Sequence, residues 1–214
     1  MLKVIKFTTK SYLILGDKPK SVPFLTIVIT KLLSDKLLSN SFSTFRLDLA
    51  YSLMGFVAEL SDKTLDLALL KAEIKPKSYF AFAKDEAKKL NKVYVAGYPL
   101  GKGLSDDLKI SSGIVSSLKG FEDNSNEIQI DAPINPGNSG GPIINENGNL
   151  VAIAVSGLAK DQTEGINFGI KSSAAETFLK ANNITPKKSM YSGIKENDTL
   201  LEILEEGTVY TYCN

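Results

Sequence analysis

The run Asp131-Ala-Pro-Ile-Asn-Pro-Gly-Asn-Ser139-Gly-Gly-Pro-Ile143 constrains this chain more than any other stretch. It joins two apolar, strand-like segments. Pro136 fixes one φ, while Gly137, Gly140 and Gly141 open backbone conformations closed to other residues. Such a segment can aim one side chain and a row of backbone N–H groups at a single point. A serine nucleophile needs that arrangement: an exposed hydroxyl on a tight turn, with N–H donors about 3 Å from the oxygen that becomes negative. A Gly/Pro loop that merely holds a serine looks the same locally, so the flanking sequence decides.

The flanks are a series of short strands. Gly55-Phe-Val-Ala-Glu-Leu60, a turn at Ser61–Thr64 and Leu65-Asp-Leu-Ala-Leu-Leu70 predict a hairpin with Asp66 inside an apolar run. A carboxylate there must be paired or hydrogen-bonded, or else cap the turn. Val93–Ala96, Lys109–Leu118 (with Gly113 at a candidate bulge), Glu127–Asp131, Pro142–Ile144, Leu150–Val155 and Gly165–Ile170 predict further strands. Asn145-Glu-Asn-Gly-Asn149 supplies a hairpin turn with Gly148 at the position needing positive φ. Helical spacing is expected at 31–38, 84–90 and 173–181, and at Leu200–Glu206 with Asn197-Asp-Thr199 as cap. Asn197-Asp-Thr199 is also a glycosylation sequon. Many short strands separated by Gly/Pro turns imply an all-β sandwich or barrel.

Composition excludes several function classes. Net charge is +1, and Arg46 is the one arginine, so no nucleic-acid partner is expected. There is no histidine, which removes the usual general base and the commonest metal ligand. With Cys213 as the single cysteine, no zinc site, other metal or cofactor is expected, and no internal disulfide. No apolar run reaches the length of a membrane span, and Tyr12–Leu15 is too short for the core of an export signal.

Taken together, these segments resemble a trypsin-like serine peptidase of the HtrA/Deg group, from about Phe56 to Leu179. Four pieces carry the likeness in order: Leu65–Lys71, Val93–Gly101, Gln129–Pro142 and Gly165–Ile170. The resemblance implies a chymotrypsin-like double β-barrel with the site in the cleft between barrels. It implies an incomplete or atypical first barrel (46–85, after an unassigned 1–45), a second barrel at 90–182, and a short C-terminal helix plus a tail at 183–214. Carried over by position, Ser139 matches the nucleophile and Asp66 the aspartate that orients a histidine. Gly137, Asn138 and Ser139 match the oxyanion-hole segment, through the N–H groups of Gly137 and Ser139. Pro133, Val155 and Ser156 match the specificity pocket. Pro133 is not acidic, so a small apolar residue before the cut is expected rather than Lys or Arg. The partner implied is a polypeptide substrate or peptide ligand. Family members mostly work outside the cytoplasm, which implies the periplasm, although no signal peptide is seen.

The departure is the histidine. The family carries it upstream of the aspartate, after a Gly-x-Gly-Phe strand, and residues 1–54 contain neither feature. Three states of the protein are compatible with this. The coding sequence upstream of Leu47 is altered or truncated, and the gene belongs to an endopeptidase. Or the protein is a pseudoprotease that binds peptides or a partner protein in the old cleft. Or Ser139 works with a lysine base, Lys71 or Lys102. Val22–Thr30 is apolar and β-branched and could form a strand, but residues 1–45 do not map onto the family pattern, so the first barrel is expected to lack strands.

Overall fold

Among the described residues, alternating and continuous apolar runs become eleven strands and two α-helices. The computed structural model describes residues 10–15, 25–29, 56–72, 78–99, 107–157 and 165–211. Its strands are β1 (Lys10–Leu15), β2 (Leu25–Ile29), β3 (Phe56–Asp62), β4 (Leu67–Ala72), β5 (Lys92–Gly97), β6 (Lys109–Ser117), β7 (Glu127–Ile130), β8 (Pro142–Asn145), β9 (Leu150–Gly157), β10 (Asn167–Lys171) and β11 (Thr208–Thr211). The helices are α1 (Ser172–Ala181) and α2 (Asn197–Gly207). The predicted helix at 31–38 lies outside the described residues.

Strands β10-β7-β6-β5-β8-β9 close into an antiparallel barrel. Its interior follows from period-2 alternation: Val93 and Val95 on β5, Ile128 and Ile130 on β7, and Ile143 on β8 are buried in one cluster. The neighbouring Ile144 faces the other way, into a second cluster with Leu150 and Ile153. A register shift between Ile143 and Ile144 accompanies this division. Strand β9 is thus buried on both faces, which explains its unbroken apolar run.

The remaining strands form a five-stranded antiparallel sheet in the order β11-β1-β2-β4-β3. Here the structure differs from the expectation that the first barrel lacks strands from residues 1–45; β2 falls within the strand candidate Val22–Thr30, while β1 was not expected. Strand β2 pairs along β4, Leu25 with Ala72 through Ile29 with Ala68, and β1 pairs with β2 and β11. Family pattern is blind to this, because the partners are set by pairing and not by motif. The C-terminal segment is likewise built in, since Leu200 and Leu204 of α2 lie in the second cluster with Leu67, Leu69, Phe80 and Phe178. That cluster joins β4, the outside of the barrel and both helices. At the start of α2 the cap position is Glu196, without a side-chain cap hydrogen bond, so Asn197 does not cap the helix as expected.

Two local expectations are also corrected. Residues 84–90 are not helical; Lys88 N–H donates to Asn91 Oδ1 at 2.7 Å, and Leu90 N–H to Val115 O at 2.9 Å. A local side-chain bond and a tertiary backbone bond override a Lys/Ala-rich helix propensity there. Gly113 sits in regular register opposite Val93, and the irregularity of β6 falls instead between Val115 and Ser117. Glycine is required at 113 because a Cβ would run into the Asp131 carboxylate and the Ala132 backbone.

Candidate active site

The Ser139 loop leaves β7, crosses the barrel end and enters β8, and it is tied down at every step. Asp131 Oδ1 accepts from Ile114 N–H at 2.6 Å, and Ser111 Oγ donates to Pro133 O at 2.8 Å. Ile134 N–H donates to Asn167 Oδ1 at 3.3 Å. Farther along, Asn138 N–H donates to Asn135 O, Gly140 N–H to Ala154 O, and Gly141 N–H to Asn138 O. Gly137 (φ 108°) and Gly140 (φ 87°) take the left-handed backbone that the sequence predicts for them.

The outcome is a half-buried Ser139 whose Oγ donates to the Val155 carbonyl at 2.5 Å. A carbonyl oxygen does not accept the proton itself, so this bond orients the hydroxyl without activating it. Of the matched oxyanion segment, Asn138 turns its N–H inward to Asn135 O and its buried side-chain Oδ1 has no partner. Pro133 is exposed and held through its carbonyl, and Val155 is half-buried. Ser156 follows in β9, its side chain outside the described set.

Asp66 is not inside a strand. It ends the β3–β4 turn in a left-handed conformation (φ 53°), which aspartate tolerates better than most residues. The turn is fixed by Asp62 Oδ1, which accepts from Thr64 and Leu65 N–H groups. Leu65 and Leu67, on either side of Asp66, pack in the same cluster as Val155. The hydrophobic core thus links the strand carrying Asp66 to the strand supporting Ser139, while the Ser139 hydroxyl itself goes to Val155. Asp66 acts electrostatically on Glu127, whose carboxyl is held above the usual carboxylate range, first by burial and further by the Asp66 charge. Hydrogen bonds from the Phe121 backbone and the Asn124 side chain oppose the shift.

The sign of that shift gives a prediction. Above its raised pKa, Glu127 is charged in a half-buried place, which opposes folding; below the unfolded pKa the penalty is gone. Glu127→Gln is therefore expected to raise the melting temperature at about pH 8, with the gain vanishing as pH falls to about 4. A gain equal at both pH values in thermal melts would mean that burial of the charge is not its cause.

Asn167 is the residue that sequence reading missed. It is buried at the head of β10 and fixes the backbone next to Pro133. A polar residue in an otherwise apolar strand was the available signal. Of the two lysines considered as bases, Lys71 lies in β4 with its side chain outside the described set, and Lys102 lies outside the described residues. Among the described residues no group of three or more Asp, Glu, Cys or His side chains could hold a metal, and no helix is long and apolar enough to cross a membrane.

Comparison with known proteins bears on the family and the fold. A family model, trypsin-like peptidase domain, fits residues 45–153. Periplasmic serine endoprotease DegP of Salmonella typhimurium is 35% identical over 144 residues, covering 64% of this chain and 28% of that protein. Serine protease Do-like HtrA of Bacillus subtilis is 44% identical over 88 residues, 37% of this chain and 19% of that one. The chain spans less than a third of the length of either relative. Among solved structures, the HtrA-type protease AlgW with decapeptide superposes with a TM-score of 0.50 at 30% identity, over 59% of this chain and 41% of that one. The serine endoprotease from Yersinia pestis gives 0.54 over 80% of this chain and 61% of that chain; at 21% identity it speaks to the fold alone, which is chymotrypsin-like.

Proposed function

The chain belongs to the trypsin-like peptidase domain family, and from that premise we propose that its Ser139 cleft binds extended polypeptide and, within these 214 residues, holds it without cutting. The observation that carries this is the state of Ser139. Its loop is built and anchored, its hydroxyl donates to a carbonyl, and the sequence supplies no histidine to take the proton. Ser139 stands at the nucleophile position. Asp66 stands where an aspartate would orient an imidazole, with no imidazole to orient. The Gly137 and Ser139 N–H groups are the expected donors to a bound peptide carbonyl, and Pro133, Val155 and Ser156 shape an uncharged pocket for a small apolar side chain. The related protease AlgW was solved with a decapeptide, which supports a peptide as the occupant.

Fluorescence anisotropy of labelled unfolded peptides tests this. Peptides with Ala or Val at the pocket position are expected to bind with Kd of about 1–100 μM. Those with Lys or Arg there are expected to bind at least about tenfold more weakly, a difference of ~1.4 kcal/mol. Peptides recovered at shortened mass, or equal affinity for both sets, would count against the proposal.

A further inference from the structure

Asn167 is a polar side chain at the mouth of an apolar barrel, and its amide is only partly used. It pairs with Ile130, which is buried inside the barrel, and cross-strand partners share a face of the sheet. Gly169, two residues on, also faces inward, where an added Cβ would strike Ile143. Asn167 therefore points inward as well, 7% exposed, at the barrel end that the Ser139 loop crosses. There its Oδ1 accepts from Ile134 N–H. A backbone N–H can only donate, so the amide oxygen must face Ile134 and the NH2 must point elsewhere. Among the described residues no group accepts from that NH2. Nor is it sealed in. The described side-chain atoms that are both sealed and unpaired are Asn138 Oδ1 and Thr208 Oγ1. The Asn167 nitrogen thus meets open space with two N–H donors that the chain itself leaves unused.

The neighbouring segments define that space. On one side is β9. Its pairs with β10 run from Ala154–Gly169 to Gly157–Asn167, three steps on β9 against two on β10, so β9 bulges at Val155 and Ser156. The Val155 carbonyl in this bulge takes the Ser139 hydroxyl. Gly157, opposite Asn167, is two residues from Val155, about 7 Å along the strand. On the other side, the bond to Ile134 ties Asn167 to the backbone next to Pro133. Asn167 stands between the two segments that shape the pocket of the proposed peptide cleft.

We propose that Asn167 is a specificity-determining residue of that cleft, whose free NH2 donates to an oxygen on the side chain filling the pocket. The inference rests on the proposed peptide-binding function and narrows it. Pro133 and Val155 limit size; Asn167 adds a chemical demand. A small side chain bearing an acceptor, such as threonine, is favoured over one of the same shape without it, such as valine. An aliphatic occupant displaces water from the NH2 and leaves its donors unpaired, which is costly. Lysine or arginine, which can only donate, sets donor against donor. A carboxylate would accept, but it would bury a charge against one neutral donor, with no cation among Pro133, Val155 and Asn167 to meet it.

Fluorescence anisotropy with two pairs of labelled peptides, each pair differing only at the pocket position, tests this. One pair is threonine against valine. The other is O-methylserine against norvaline, where an ether oxygen that can only accept replaces a CH2 in the same shape. The oxygen-bearing member of each pair is expected to bind roughly three- to tenfold more tightly, the worth of one ordinary hydrogen bond. Asn167→Asp keeps the side-chain shape and an oxygen for Ile134 N–H but removes the NH2. It is expected to abolish or invert the preference for O-methylserine. The side-chain NH2 resonances of Asn167 in the parent chain give a second readout that does not depend on folding of the variant. They are expected to shift more with the O-methylserine peptide than with the norvaline peptide. Equal affinity within either pair, a preference that survives Asn167→Asp, or resonances indifferent to the ether oxygen each overturn the role of Asn167 and leave peptide binding standing. If none of the four peptides binds, the peptide-binding function fails and this inference fails with it.

Discussion

Removing the hydroxyl of Ser139 is expected to change nothing measurable in peptide hydrolysis by this chain. In serine peptidases the nucleophile and its base act as a unit, and losing either alone costs about 10⁶ in turnover, nearly as much as losing both. With no histidine in the sequence, the proposed function takes that loss as already incurred. The residue then left to remove contributes little more. What remains is the ~10³–10⁴ over water that binding and backbone donors supply. From an ordinary turnover of about 10 s⁻¹, the expectation is about 10⁻⁵ s⁻¹, roughly a day per event. Ser139→Ala should lie within about threefold of the parent, and a fluorophosphonate probe should label neither protein, since it needs an activated hydroxyl. A drop of a hundredfold or more on Ser139→Ala, with labelling of the parent, would falsify the silent site. It would also require a base of another kind, such as Lys71 or Lys102. Peptide binding and turnover are separate readouts, so a chain that cuts and a chain that fails to bind are told apart.

Gly141→Ala is expected to produce the largest loss of stability among single substitutions at this site. Gly141 runs beside the end of β5, and an added Cβ would strike the Ala96 carbonyl oxygen and come within 2.9 Å of Asn138 O. Both obstacles are backbone, so no rotamer change relieves them. The residue is also held on both sides, its N–H donating to Asn138 O and its carbonyl accepting from Ala154 N–H. Moving it means breaking the turn that carries Ser139 or parting β8 from β5. A cost of about 3 kcal/mol is expected, at the upper end of overpacking, which for a chain this size lowers the melting temperature by roughly 6–12 °C. Gly165→Ala serves as the control. Its φ is +67° but its nearest neighbour to a Cβ is 3.8 Å away, so only the conformational cost of about 1 kcal/mol applies. Equal melting of the two variants would show that close approach is not what Gly141 is for.

The parts of the fold that were readable before any coordinates are those with local causes. The barrel strands announce themselves by alternation, as in Glu127–Ile130, where buried and half-buried residues alternate. Gly148 was placed at positive φ from the turn pattern alone and sits at φ 77°. The parts that were not readable depend on which of several available partners, near or far, each backbone amide takes. Lys84–Leu90 has helix-forming composition, yet Val115 and Asn91 take its N–H groups. Asp66 reads as a strand residue, and the turn claims it because Asp62 holds the two preceding amides. For the site, the residue types around Ser139 could be named, but not the direction of each amide. Nothing local says that Asn138 N–H turns to Asn135.

The pairing of β1 with β11, Lys10 against Thr211 through Leu13 against Thr208, also sets an order of assembly during synthesis. Every strand of the barrel has been synthesised before Thr208 is made. The first strand, by contrast, waits for a neighbour encoded roughly two hundred codons later. At ~5–20 residues per second that wait lasts about 10–40 s, long compared with hairpin formation in microseconds. The barrel can therefore form on the nascent chain while β1 still has an open side. In that interval the early segment is the part of the polypeptide that a chaperone would have to shield.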